Sequence, residues 1–337
     1  MRNVVKIAIA LLVGLSLFYF IVREAGFDVL VRSASIFFNW KGAFLLLFSF
    51  IAVFLGAIRW RFILITAKSD LPLILSMRYQ IKGFMVDYLT PFAFFGGEAV
   101  RIFLLERRVG LEKSIFASVT DKITAITAHS IFLLSGTVIF LFYGALDSKI
   151  LLTYAILAIL FVCGLLALFY VQALRNKSFL KLLFHFSGSI RKILKDTENG
   201  QKVMEIERSI ISFFFNQKKD LLKSIFIGVV ANVFLAGRVF LIIYFITGSY
   251  DVFLALIIYS LVILSLFLPL PASIGGMEVI LGIGFTVLGM SLSQGIITAI
   301  IVRSADLVIC LVGIILFLRM SAFSFLRDFS AFLKKGF

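Results

Sequence analysis

The chain has 337 residues, of which 61% are hydrophobic and 15% are charged, and its net charge is +15. A soluble domain carries roughly 25% charged residues, so this composition excludes a mainly soluble enzyme and predicts an all-α polytopic membrane protein. The positive charges cluster at the ends of apolar runs, as at cytoplasmic ends of membrane helices, which argues against nucleic-acid binding. Anionic or phosphate-bearing membrane lipids are therefore the expected partners of these charges.

Apolar runs of about 20 residues, long enough to cross a bilayer as helices, recur from end to end of the chain. The basic residues before the first run and after the last predict that both termini are cytoplasmic. No small-residue cleavage site follows the first run, so we expect a retained helix rather than a removed signal peptide. The predicted spans are residues 4–22, 43–65, 115–145, 150–173, 222–247 and 293–318.

Two further apolar regions, 71–105 and 252–290, contain related helix-breaking motifs. Proline and glycine interrupt helices, and a glutamate surrounded by hydrocarbon is costly. These features favour either tight-packing hinges or exposed helix ends that bind an anion such as phosphate. Each motif has a proline, two adjacent glycines and a glutamate: Pro91, Gly96, Gly97 and Glu98 in the first, and Pro271, Gly275, Gly276 and Glu278 in the second.

The charges around the two broken regions predict opposite orientations. Basic residues flank the first region on both sides, so we expect it to enter from the cytoplasm and return there. The second region contains no lysine or arginine, so we expect it to open to the exterior. Each half then has two spans, a re-entrant or broken hairpin and a further span, which is the pattern of an inverted repeat. We predict one membrane domain, 1–337, with about eight helical segments, comprising a first repeat 1–146, a second repeat 147–320 and a cytoplasmic tail 321–337.

The link 174–223 carries a net positive charge and is predicted to be cytoplasmic. Its apolar residues alternate with lysines and arginines at near-helical spacing, which predicts amphipathic helices that lie on the membrane surface. The simple interpretation is a surface-bound connector. The alternative is a segment that regulates the protein or recruits lipid.

Charged side chains inside the predicted spans are candidates for function because each is costly in hydrocarbon unless it is paired or wet. Glu98 and Arg101 are three residues apart, a spacing that favours an ion pair. Arg101 is either a phosphate ligand or a charge at the membrane interface. Arg303 and Asp306 have the same spacing near the middle of the last span, where they either function in transport or join helices.

Four other polar residues extend this set. Arg238 is deep in its span, and we expect it to neutralise one of the two motif glutamates. Asp121 and Lys122 are adjacent near the start of a long span, close to the inner interface. His129 is deeper, and hydrogen-bonded packing explains it more simply than a proton relay.

The sequence contains no nucleophile–base arrangement, no phosphate-cradling glycine loop and no metal-ligand spacing. We therefore predict no catalytic residue, no metal and no cofactor, and we interpret Cys163 and Cys310 as packing residues. The residues predicted to line a substrate cavity are Pro91, Gly96, Gly97, Glu98, Arg101, Asp121, Lys122, Arg238, Pro271, Gly275, Gly276, Glu278, Arg303 and Asp306.

The two motifs together resemble those of the membrane region of lysylphosphatidylglycerol synthases and of related stand-alone flippase-like proteins. The resemblance covers nearly the whole chain and departs from the family pattern at two positions. Glu278 stands where a glycine is usual and Leu281 where a glutamate is usual. The matching residues are Pro91, Gly96, Gly97, Glu98 and Arg101 with the pair Asp121-Lys122, and then Leu270, Pro271, Gly275, Gly276 and Met277.

The resemblance implies two facing re-entrant elements that move a lipid across the bilayer. In bifunctional members a soluble carboxy-terminal domain adds an amino acid to phosphatidylglycerol, and we expect no such reaction from this chain. The function implied is translocation of a phospholipid or a polyprenyl-linked intermediate across the cell membrane. The alternatives are a membrane-embedded transferase acting on lipid-linked substrates, and a non-catalytic partner of an envelope-lipid enzyme.

Overall fold

The structure, a computed structural model, describes residues 15–90, 96–142, 149–178, 180, 198–268, 270 and 273–318. These residues form twelve helices and no strand, which confirms the all-α class. The helices are residues 15–25 (α1), Asp28–Phe37 (α2), Trp40–Thr66 (α3), Leu73–Leu89 (α4), Gly96–Val109 (α5), Leu111–Phe142 (α6), Lys149–Leu174 (α7), Glu198–Asn216 (α8), Lys218–Thr247 (α9), Val252–Ser265 (α10), Gly276–Val287 (α11) and Leu292–Leu318 (α12).

Among the described residues, four helices are long and apolar enough to cross a membrane. They are Trp40–Thr66, Leu111–Phe140, Lys218–Thr247 and Leu292–Leu318. By contrast, α10 and α11 are apolar but have only 14 and 12 residues, which is fewer than the roughly 20 needed to span a bilayer. The chain is therefore an integral membrane protein in which long apolar helices pack against shorter ones.

The prediction of about eight helical segments is wrong, because the described residues contain twelve helices. Each broken region forms two helices, and two additional helices lie in segments predicted to be links. One of these is α2, where Val29 is completely buried and the Oγ of Ser33 donates to the Val29 carbonyl at 2.6 Å. Most of the predicted first span, both motif prolines and the tail lie outside the described residues.

The helix α8 lies in the link 174–223. Its aromatic face packs on the protein, so Phe213 and Phe214 are almost fully buried. The ring centroid of Phe213 is 6.0 Å from that of Phe116 on α6, and the centroid of Phe214 is 4.9 Å from that of Phe169 on α7. The protein thus covers part of the apolar face of this helix, and its position on the membrane surface stays a prediction. The part of the link at 181–197 lies outside the described residues.

The helices α3 to α6 and α9 to α12 make corresponding contacts. The first helices of the two sets, α3 and α9, pack on each other. The broken pair α4–α5 lies against α6, and α4 also packs on α12. In the same way, the pair α10–α11 lies against α12, and α10 also packs on α6. Each half therefore places a broken pair beside the long helix of the other half.

Glycines permit the close approach of the short helices. A Cβ atom added to Gly97 at the start of α5 would lie 2.3 Å from the carbonyl oxygen of Gly83 on α4. A Cβ atom on Gly295 of α12 would lie 2.5 Å from the carbonyl oxygen of Leu281 on α11. Small residues at helix contacts are typical of membrane proteins, because they bring backbones together.

Candidate functional site

A central cavity of about 260 Å³ lies between the two halves. Side chains from α3, α4, α6, α9, α10 and α12 form its walls, together with the residues that begin α5 and precede α11. Most of the lining is apolar, yet nine charged side chains border it. They are Arg59, Asp87, Glu98, Arg101, Asp121, Lys122, Arg238, Arg303 and Asp306.

The charged residues of the first half form one network, which we call the first cluster (Arg59, Asp87, Glu98, Arg101, Asp121 and Lys122). At its centre, Asp121 accepts a hydrogen bond from the Nε of Arg59 at 2.6 Å and another from the Nη1 of Arg101 at 2.9 Å. Arg101 also donates to Glu98, and its Nη1 lies 2.6 Å from the Oε1 of Gln80. Four helices are therefore joined through two buried arginines and one carboxylate.

Lys122 and Asp87 complete the first cluster. The Nζ of Lys122 lies 3.3 Å from Glu98 and 3.7 Å from Asp87. The other carboxylate oxygen of Asp87 accepts the backbone N–H of Gly97 at 2.8 Å. The amino end of a helix carries a partial positive charge, so Asp87 stabilises the start of α5. The helix end predicted to bind an external anion is thus occupied by the protein's own carboxylate.

The second cluster is smaller and comprises Arg238, Glu278, Arg303 and Asp306. The Nη1 of Arg238 donates to Asp306 at 2.7 Å and to the Oγ of Ser49 at 2.9 Å. The Nη1 of Arg303 lies 2.8 Å from the Oε1 of Glu278, whose side chain is completely buried. The cluster joins α3, α9, α11 and α12.

These contacts correct two predicted pairings. Arg238 pairs with Asp306, not with Glu98 or Glu278. Arg303 and Asp306 are three residues apart on α12, but each pairs with a residue on a different helix. Local spacing fails here because α9 and α11 offer opposite charges nearby. The predicted pair of Glu98 and Arg101 is present.

Arg303 also holds the break that precedes α11. It donates to the carbonyl of Ser273 on one side of the break and pairs with Glu278 on the other. Between them, Gly275 has a φ of +78°, a conformation that a residue with a Cβ rarely adopts. One arginine thus contacts both ends of the segment 273–278, which contains the two glycines and the glutamate of the second motif.

Between the clusters, the cavity is bordered by neutral polar groups. The hydroxyl of Tyr259 donates to the side-chain oxygen of Asn232 at 2.6 Å. The Nδ1 of His129 lies 2.8 Å from the carbonyl oxygen of Ala125 one turn earlier, a contact that fits a packing role. These groups give the cavity hydrogen-bonding capacity along its length.

Arg59 is a site residue that was not predicted from the sequence. Its side chain is only 7% exposed and contacts Asp121. Its position inside the predicted span 43–65, rather than after it, is the signal that distinguishes it from a charge at the membrane interface. No local signal identifies Gln80, which accepts from Arg101, or Tyr88, whose hydroxyl lies 3.4 Å from the carbonyl oxygen of Arg303, because these contacts depend on how α4 packs against α5 and α12.

The fold and the cavity define an all-helical integral membrane protein with a charged site enclosed between its two halves. A family model described as the lysylphosphatidylglycerol synthase TM region matches residues 5–313. The chain therefore belongs to this family, whose membrane region is linked to lipid-related processes. Comparisons with curated proteins and with solved structures gave no match.

Proposed function

We propose that the protein moves a phosphate-bearing lipid, either a phospholipid or a polyprenyl-linked intermediate, between the leaflets of the cell membrane through the central cavity. The observation that carries this proposal is that one cavity, lined by nine charged side chains, is built jointly by both halves. A polar head group cannot enter hydrocarbon without a large desolvation cost. A cavity bordered by charged side chains lowers that cost.

The inverted-repeat architecture is part of this proposal. The corresponding contacts of α3–α6 and α9–α12 support it, and so do the ion pairs. Arg59 on α3 pairs with Asp121 on α6, and Arg238 on α9 pairs with Asp306 on α12. These helix pairs correspond when the two halves are exchanged. With the opposite orientations predicted from the basic residues, two such halves open alternately to either side of the membrane.

The cavity charges have two proposed roles. Arg101, Arg238 and Arg303 are the candidates for phosphate recognition, because a guanidinium matches its geometry, and the contacts that each arginine already makes decide between them. Glu98 and Asp306 balance these arginines or couple the movement to protons. The orientation with both termini in the cytoplasm belongs to the same proposal.

A reconstitution experiment tests the function. Purified protein is placed in liposomes that contain fluorescent phospholipids, and a membrane-impermeant quencher reports how fast inner-leaflet lipid becomes accessible. We expect faster loss of protected signal with the wild type than with empty liposomes, and loss of that gain in Glu98→Ala and Arg303→Ala variants that remain folded. No difference from empty liposomes across several head groups would favour the transferase or partner alternatives instead.

A further inference from the structure

Both clusters have equal numbers of cations and carboxylates, but they differ in how the cations and carboxylates are connected. In the first cluster, three cations face three carboxylates. Asp121 bridges Arg59 and Arg101, and Glu98 contacts both Arg101 and Lys122. Arg101 additionally donates to Gln80 and lies 5.2 Å from the ring of Trp60. An arriving phosphate would have to displace a carboxylate that already bridges two partners.

In the second cluster, each arginine has a single carboxylate. Arg238 contacts Asp306, and Arg303 contacts Glu278. The Nε atoms of both arginines are buried and have no hydrogen-bond partner among the described residues. A guanidinium has five N–H donors, and leaving a buried donor without an acceptor is unfavourable. Both arginines therefore retain an unused N–H donor, and the two buried oxygens of Glu278 likewise have no hydrogen-bond partner among the described residues.

The arginines of the two clusters also differ in exposure. The side chain of Arg303 is 11% exposed, whereas those of Arg59 and Arg101 are 7% and 5% exposed and that of Arg238 is 4% exposed. In the first cluster the more exposed groups are Asp87, at 17%, and its partner Lys122, at 14%. Among the arginines, Arg303 is therefore the one most open to the cavity.

The amino ends of α5 and α11 also differ in how their partial positive charge is balanced. The amino end of α5 is stabilised by Asp87 from another helix. The first turn of α11 contains its own glutamate, Glu278, but this side chain is paired with Arg303. A phosphate beside Arg303 would lie close to the start of α11, whose partial positive charge favours an anion.

We propose, resting on the function above, that the lipid phosphate binds at the second cluster, with Arg303 and Arg238 as its ligands, and that the first cluster is a structural ion-pair network. Arg101 is then a positioning residue for α5 and α6 and does not bind phosphate. Asp306 pairs with Arg238 and is three residues from Arg303 on α12, so it is the carboxylate that the phosphate displaces or joins. The same chemistry would accept free inorganic phosphate, so the test includes both ligands.

The experiment measures binding directly, independently of transport. The full chain in detergent is dialysed against radiolabelled dihexanoyl phosphatidylglycerol and, separately, against inorganic phosphate. Two variants are matched: Arg303→Gln with Glu278→Gln, and Arg101→Gln with Glu98→Gln. Each removes one cation and one carboxylate, so the net charge of its cluster is unchanged. Gel filtration and thermal unfolding confirm that each variant is folded.

We expect the first of these variants to lose about tenfold or more in affinity for the short-chain lipid, as for removal of a charge-assisted phosphate contact. We expect the second to remain within about threefold of the wild type. Equal losses in both variants, a loss confined to the Arg101 variant, or no lipid binding by the wild type would each overturn the proposal. Binding of inorganic phosphate without lipid would show a free-phosphate site and also overturn it.

Arg303→Lys provides a second variant should the double change fail to fold. Lysine keeps the charge beside Glu278 but lacks the planar guanidinium that binds a phosphate through two hydrogen bonds. We therefore expect a partial loss of affinity for the lipid. An unchanged affinity would contradict the proposal. The liposome assay separates the two proposals. If the wild type transports lipid but the binding results contradict the proposal, the proposed function stands and the phosphate must bind at another site.

Discussion

The two broken regions, α4–α5 and α10–α11, have the same glycine and glutamate motif but obtain their ionic partners from different places. In the first region, Asp87 and Gly97 contact each other within the region, as do Glu98 and Arg101. In the second, Glu278 has no charged neighbour within its own region and depends on Arg303 from α12. The first motif is therefore held by contacts within its own helix pair as well as by Asp121 and Lys122 of α6, whereas the second is held through the site by the neighbouring helix alone.

The largest expected effect is on the first cluster. Changing Asp121 to leucine leaves Arg59 and Arg101 without their shared carboxylate, and both side chains are buried. Removing one partner of a buried ion pair costs about 3–5 kcal/mol. We expect the free energy of unfolding in detergent to fall by about this amount in Asp121→Leu. The matched change in the second cluster is Asp306→Leu, for which we expect a smaller loss. Equal losses would remove the distinction between the clusters.

A large effect on transport is expected from the double change Arg303→Gln and Glu278→Gln. It removes both charges together, so no unpaired charge remains, and replacement of a buried pair is often close to neutral for stability. We expect lipid movement in liposomes to fall at least about tenfold, with a folded protein whose unfolding temperature is only modestly lowered by loss of the contact between Arg303 and the Ser273 carbonyl. Full transport by this variant would show that the second cluster is not used.

A smaller effect is expected from changes in helix contact. In Gly97→Ala the new methyl group would lie 2.3 Å from the carbonyl oxygen of Gly83, so α5 must move away from α4. Overpacking of this kind typically costs about 1–3 kcal/mol. Gly164→Ala is the matched control, because nothing lies within 4 Å of its added Cβ. Thermal unfolding of the two variants in the same detergent gives the comparison, and equal unfolding temperatures would contradict the close contact.

The smallest effect is expected from Asp70→Asn, which changes an ion pair outside the cavity. The hydrogen bond from Arg61 holds the pKa of Asp70 below its usual value. Stability from this pair is present above the ordinary pKa and is lost only as the pH falls through the lowered one. At neutral pH we expect transport equal to that of the wild type, since exposed pairs contribute little. A clear transport defect would mean that charges outside the cavity also matter.

The membrane class, the long spans and the two breaks could be predicted because each depends on local composition. The ion pair of Glu98 and Arg101 could be predicted for the same reason, since both lie on one helix. The pairing of Arg238 with Asp306 could not, because it depends on how α9 packs against α12. Likewise, the spacing of the apolar residues of α8 predicts an amphipathic helix. Whether lipid or protein covers Phe213 depends on how α6 and α7 pack against α8, which the local sequence does not determine.

The proposed function is tested most directly by asking whether lipid passes through the cavity. Two single cysteines are introduced into a chain in which Cys163 and Cys310 are replaced: Ala231→Cys, which lines the cavity, and Val233→Cys, two residues further along α9 and 55% exposed on the outer face of the bundle. Each is labelled with a bulky thiol reagent in liposomes, and labelling is verified by mass spectrometry. We expect labelling at position 231 to stop lipid movement and labelling at position 233 to leave it unchanged. Unimpaired movement with position 231 fully labelled would contradict transport through the cavity.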